Sequence, residues 1–295
     1  MAHRLVECIA QWHCGPIRSL AHAPSAAGWA ATDGRMLHLY CDDVHAMSVP
    51  VPGGGAGALR FDRDGARVLI ARQGFDLAER RWQAPDWLAS PATDDHRKSP
   101  PLVAAWSADG GLLVEVDHGP SVQLIATSAA APGGVMLLAG ERAAAVRSIA
   151  IGRRHVVAGD AALSVWARDG HDHVADLAAH DLAVLDLAFA HDDALFASVG
   201  ADGCLAIWDA AGWTRLAMRQ VTAGALAALA VHPREPIIAT GGTDGILRLH
   251  GLDAAPLHEE PFDAPLTALA YAPSGDRLIV ALGGAEPRLL WLRLL

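Results

Sequence analysis

A histidine, a serine and an aspartate stand within one short segment of the chain: His180, Ser198 and Asp202, with Trp208 just beyond. These are the residue types of nucleophilic acyl transfer, in which an imidazole takes the hydroxyl proton and a carboxylate holds the imidazole. The Gly-x-Ser-x-Gly turn that lifts a nucleophile above a hydrolase sheet is absent. Fifteen histidines raise metal binding as a second chemistry. His171-x-His173, with His180 and His191 near in sequence, is the densest group, and Cys8, His13 and Cys14, with His22, form another. Neither has the Cys-x-x-Cys or His-Glu-x-x-His spacing that sets ligands on one face. His171 and His173 are expected on a solvated turn. Gly53-Gly54-Gly55 and Gly241-Gly242 lack the Lys-Ser/Thr of a phosphate loop. The acidic pairs Asp42-Asp43, Asp192-Asp193 and Glu259-Glu260 are expected on solvated turns.

The elements that carry the first constellation are short strands. Residues 180–209 read HDLAVLDLAFAHDDALFASVGADGCLAIWD. An alternating run, Val184 to Phe189, predicts a strand, a polar turn follows at residues 191–193, and a second run covers Leu195 to Val199. Asp202-Gly203 is a hairpin turn signal, and a third run ends on Trp208-Asp209. Such a sheet cannot bury both of its faces alone and needs neighbours of its own kind. Copies are found. A first strand running into a Pro/Gly/Asp-rich turn recurs at His22, Phe61, Trp106, Ile151, Phe189, Val231 and Tyr271, a spacing of about 41 residues. Third strands are predicted to end at Tyr40, Trp82, Ala126, Trp166, Trp208, His250 and Trp291.

On these residues the chain resembles the WD40-repeat family: a His at the start of the unit, an Ala-Ser-Gly-like second strand, an Asp-Gly turn and a terminal Trp-Asp. The fifth unit matches nearly throughout. The sixth keeps Ala-Thr-Gly-Gly-Thr-Asp-Gly at 239–245 but has His250 in place of Trp, and the seventh keeps Tyr-Ala-Pro-Ser-Gly without the Asp-Gly turn. The resemblance implies an all-β, seven-bladed propeller occupying residues 1–295 as one domain. It also implies that the N-terminal segment around Leu5–Ile9 supplies the missing outer strand of the last blade, which removes an open sheet edge. His180, Ser198, Asp202 and Trp208 become, on this resemblance, a buried structural chain from indole to hydroxyl to imidazole to carboxylate, and no catalytic residue is expected.

The blades are expected in order along the chain, with little helix. Blade two should have strands at Leu59–Phe61, Arg67–Ala71 and Leu77–Trp82, with an outer strand near Trp87-Leu88 inside the irregular stretch 83–101. First strands should line a central channel, where small residues recur at Ser19, Ala58, Ser148 and Ala268 and Asp186 is the polar exception.

The totals exclude other classes. Apolar residues make up 52% of the 295, enough for a large core, yet no apolar run approaches the roughly 20 residues of a membrane span. Net charge is −10 and Lys98 is the only lysine, which argues against nucleic-acid or anionic-membrane partners. The N-terminus lacks a signal-peptide apolar stretch, and four cysteines at unrelated spacings suggest free thiols, so a cytoplasmic protein is expected.

The function that fits is a non-enzymatic scaffold docking protein partners in a larger assembly, with no cofactor or metal. A propeller hydrolase and a metal or modified-peptide site at the channel mouth are the alternatives. Interface anchors favour Trp and Arg. Arg18 and Arg147 share one slot at the start of the first strands of blades one and four, a slot that in WD40 propellers tends to face partners. They are candidates together with Trp87 and Trp213. Trp12 and Trp29 also fall outside the repeated positions and are expected to pack between blades unless they too serve as anchors. An aromatic beside Arg18 and Arg147 would favour a ligand pocket over a flat protein–protein face.

Overall fold

A computed structural model describes residues 5–24, 28–41, 44–52, 58–70, 72–83, 103–118, 122–190 and 193–294. Its strands form seven antiparallel sheets of four, each a blade with its first strand innermost and its fourth outermost. Blade five is the simplest to follow: Val184–Ala190, Leu195–Gly200, Cys204–Asp209 and Thr214–Gln220. In blade seven the first three strands are Leu266–Tyr271, Arg277–Leu282 and Arg288–Leu294. Its fourth comes from the other end of the chain, Leu5–His13, paired antiparallel from Leu5↔Leu294 to His13↔Arg288. The ring is therefore closed by hydrogen bonds between the two ends, as the sequence led us to expect. Helix is confined, among the described residues, to one turn, Glu141–Ala145, before blade four. None is long and apolar enough to cross a membrane.

Each boundary between neighbouring blades is a core. Strand alternation gives every sheet two apolar faces, and these meet in seven separate clusters, one per boundary. Phe196 and Trp208 face blade four, while Val199, Leu205 and Ile207 face blade six. Among the described residues, the boundary between blades two and three is the poorest in buried apolar side chains: its cluster is Leu69, Ala104, Trp106 and Leu113. There Arg72 and the fully buried Glu115 form an ion pair at 2.9 Å.

Hydrogen bonds from the channel-lining slots also tie blade to blade. Ser19 Oγ accepts the Leu59 N–H of blade two at 2.8 Å, and Asp186 Oδ2 accepts the Leu229 N–H of blade six at 2.8 Å. Thr267 Oγ1 donates to the Ile17 carbonyl of blade one at 2.9 Å.

Three expected strand positions, and the outer strand of blade two, are corrected. In blade two the third strand is Gln73–Asp76 and the outer strand is Arg81–Gln83, so Trp82 lies on the outer strand and Leu77–Arg80 is the turn between them. Asp76 Oδ1 accepts the N–H groups of Ala78 and Glu79 at 3.0 and 2.9 Å, and this local capping reverses a chain that reads as extended. Phe75 holds the place that had been given to Trp82, opposite Val68. The outer strand was expected near Trp87-Leu88, and those two residues lie outside the described ones. In blade seven Leu292, not Trp291, is opposite Leu278, so Trp291 points the other way, toward Trp29 of blade one. In blade three Thr127, not Ala126, holds the equivalent place, opposite Leu113. A one-residue offset exchanges sheet faces.

Candidate functional site

Blade five brings His180, Ser198, Asp202 and Trp208 into one hydrogen-bonded chain. His180 Nδ1 is 3.0 Å from both carboxylate oxygens of Asp202, and its Nε2 is 2.8 Å from Ser198 Oγ. Trp208 Nε1 donates to the same hydroxyl at 3.0 Å. Direction is fixed at both ends, because an indole N–H only donates and a carboxylate only accepts. Imidazole Nδ1–H therefore donates to Asp202 and Nε2 accepts the serine O–H. Asp202 also accepts the N–H groups of Asp181 and Cys204, each at 3.0 Å, which pins the turn between the second and third strands to the segment entering the blade. Gly200 is required beside it: a Cβ there would stand 2.7 Å from His180 Nδ1 and 2.8 Å from Asp202 Oδ1.

The geometry resembles a hydrolase triad in its order of groups and differs in its surroundings. Ser198 has no exposed surface and His180 is 8% exposed. The indole N–H occupies the serine oxygen, and the backbone of a neighbouring strand runs on each side. A substrate carbonyl has no approach to the hydroxyl, so this arrangement can rigidify a blade and cannot acylate.

Blade six reuses three of these positions, keeping the aspartate and changing the other two side chains. Thr240 Oγ1 and His250 Nε2 are 3.0 Å apart, as Ser198 and Trp208 are. Asp244 of the hairpin turn is 2.7 Å from Arg248, which takes the carboxylate in place of a histidine. Burial, with the Arg248 charge adding to it, pushes the His250 pKa down to about 4. It is thus neutral at pH 7, as its place in a blade interior demands.

The channel runs between the first strands and opens at both faces. At the mouth where those strands begin, a cavity of about 410 Å³ is lined by Arg18 and Arg147. Ser19, Ser148 and Asp186 lie below them, and Leu59, Ile149 and Leu229 lie among the apolar residues of the floor. Arg147 is exposed, and its guanidinium is held by the helical turn through the carbonyls of Ala144 and Val146 at 2.8 and 3.1 Å. Arg18 is also exposed, and no described residue holds its guanidinium. Blades one and four are three apart in the ring of seven, so the two cations face each other across the opening. No aromatic side chain joins them among the described lining residues. Asp186 is partly open to the channel yet enclosed by protein. Burial raises its pKa to about 7 against the opposing N–H groups of Leu229 and Leu187.

Among the described residues, the interface candidates do not form one surface. Trp213 lies in the turn between the third and fourth strands of blade five, at the opposite end of the blade from the slot of Arg147. It is half-buried, edge-on to His155 of blade four with centroids 4.6 Å apart, and its backbone is left-handed at φ 52°. Trp87 lies outside the described residues. Trp12 and Trp29 pack with Tyr40 and Trp291 where blades seven and one meet. His173 pairs with Asp176 at 3.3 Å, and no group of three possible metal ligands is found among the described residues. The tie from Asp186 to blade six was missed in the sequence. The signal available was that Asp186 shares its slot with Ser19 and Ser148, two other side chains able to hydrogen-bond across a boundary.

Residues 171–209 match the family of the WD domain, G-beta repeat (WD40). The matched segment runs from the outer strand of blade four through the third strand of blade five, so the sequence repeat is staggered against the blade. That stagger is why the two chain ends must share one sheet. No curated protein matches the chain significantly. Propellers built on this repeat are commonly non-catalytic platforms for protein–protein interaction.

Proposed function

We propose that this propeller, with its WD40 repeat at residues 171–209, is a non-enzymatic adaptor that docks protein partners within a multi-protein assembly. Docking uses the face where the first strands begin. The observation that carries this reading is the pair of exposed arginines, Arg18 and Arg147, brought from distant parts of the chain to one channel mouth. Arginine is favoured at binding hot spots because its planar fork pairs with carboxylates and stacks on flat groups. Two further facts support it. The Ser-His-Asp chain is fully occupied inside blade five. The mouth lacks an aromatic wall among its described residues, which favours a protein face over a pocket for a modified side chain.

The test is affinity purification of the tagged protein from its native cell, with the Arg18→Glu/Arg147→Glu double variant beside it. The expected result is a stoichiometric partner with the wild type, lost with the folded variant. A partner retained by the variant would move docking to another face. A partner-free protein with hydrolytic activity would overturn the adaptor reading.

A further inference from the structure

The other channel mouth, where first and second strands are joined, has a chemistry of its own. A cavity of about 410 Å³ is lined there by Arg60 of blade two and by Arg153 and Arg168 of blade four. These three guanidinium groups are not equivalent. Arg168 is neutralised: its Nη2 lies 2.5 Å from Asp109 of blade three. Burial of Asp109 opposes ionisation, but hydrogen bonds from Ser107, the Gly111 N–H and Arg168 pull its pKa down to about 2. The Asp193 carboxylate is occupied differently. It accepts the backbone N–H of Arg153 and caps that turn rather than pairing with the guanidinium. Gly152 admits this approach, since a Cβ there would lie 2.7 Å from Asp193 Oδ2.

Arg60 and Arg153 are left over. Arg60 is half-buried, and its one hydrogen bond to a described residue is a long one, Nη1 to the Trp106 carbonyl at 3.4 Å. No carboxylate among the described residues comes within 4.0 Å of either guanidinium. Burial pulls the pKa of Arg60 below the ordinary arginine value, against the more distant charges of Asp109 and Asp193 and with that of Arg168. A half-buried guanidinium with most of its five donors unmatched is costly until an anion completes it. The chain is acidic overall, at −10, so this basic wall is no by-product of a basic surface. The cavity is within the range of small-molecule sites, roughly 300–1,000 Å³. Asp186 at its depth and Asp193 at its side would repel an extended polyanion.

We infer that this mouth binds a small oxyanion, a phosphate or carboxylate group on a small molecule, with Arg60 and Arg153 as its principal donors. The site is independent of the docking face at the opposite mouth and stands or falls separately. Bidentate pairing of a guanidinium with such a group supplies both affinity and orientation.

The test is calorimetric titration of the full chain, in a chloride buffer, with inorganic phosphate and separately with succinate. Saturable binding of one equivalent is expected for at least one of the two, and which one binds identifies the group. Affinity should fall roughly tenfold in Arg60→Gln and in Arg153→Gln. It should be unchanged in Arg219→Gln, which alters an exposed arginine on the outer strand of blade five. Should Arg60→Gln fail to fold, Arg153→Gln carries the test, because that side chain is exposed. Absence of saturable binding by both probes, or equal affinity in the arginine variants of the mouth, would overturn the inference.

Discussion

Single residues in this molecule are mostly committed to holding blades together, including those whose types suggest catalysis. Asp202 accepts hydrogen bonds from His180, Asp181 and Cys204 at once. Asp202→Ala would leave a buried imidazole N–H unmatched, and we expect a loss of about 1–3 kcal/mol in urea unfolding. An unchanged midpoint would show the chain to be dispensable. Asp186 makes a pH-dependent contribution. Its folded pKa, about 7, is raised above the ordinary 3.8. The stability it contributes is therefore complete below about pH 4 and lost as pH rises through 7. His250, and also His22, behave in the opposite sense: burial lowers each from 6.5 to about 4, so their neutral state costs stability as pH falls through that window. Asp186→Asn removes the first effect and leaves the second. Its stability relative to wild type should grow between pH 4 and pH 7.5, by about 3–4 kcal/mol. A difference independent of pH would contradict the assignment. In the sequence, His180, Ser198, Asp202 and Trp208 were legible because their offsets are those of the resembled repeat. The substitute chain of blade six was not, because arginine at 248 and histidine at 250 reach the same ends by other atoms.

At the scale of the element, alternation and turn chemistry located most strands. They failed where a side chain overrode them. The stretch Leu77–Arg80 carries the composition of a strand, but two backbone N–H groups donating to the Asp76 carboxylate make it a turn. Trp291 fell at the expected spacing, yet the register of the last strand places it on the other sheet face, where the aromatic cluster of blade one receives it. Spacing alone does not resolve an offset of one residue. The boundary between blades two and three makes its own prediction. Its apolar cluster is small, and the Arg72–Glu115 pair fills the interface with Glu115 wholly buried. Removing one partner of such a pair takes away a charge that the other was buried against. Glu115→Ala should therefore cost about 3–5 kcal/mol, well above its lost packing. Denaturation in urea checks this, and a cost below about 1 kcal/mol would mean that water reaches Arg72 freely.

The whole molecule is a ring, and the two channel mouths exist only while it stays closed. The number of repeats was legible in the regular spacing, and the return of the N-terminus to blade seven was what the resemblance to the WD40 family implied for a last unit lacking an outer strand. What the two mouths present was legible in part: the arginine slot at one mouth was recognisable, whereas Arg60 stands on the first strand of blade two and Arg153 and Arg168 lie in turns of blade four, a relation only the closed ring reveals. Closure rests on one antiparallel pairing, Leu5–His13 against Arg288–Leu294. Without it, blade seven has an open edge and the Thr267 link to blade one loses its support. Thermal unfolding of the chain lacking residues 1–12, followed by light scattering, therefore bears most directly on the architecture from which both faces follow. A fall in melting temperature of about 10 °C or more, with aggregation, is the predicted result. A truncated protein that melts with the wild type and stays monomeric would contradict closure by the N-terminal strand.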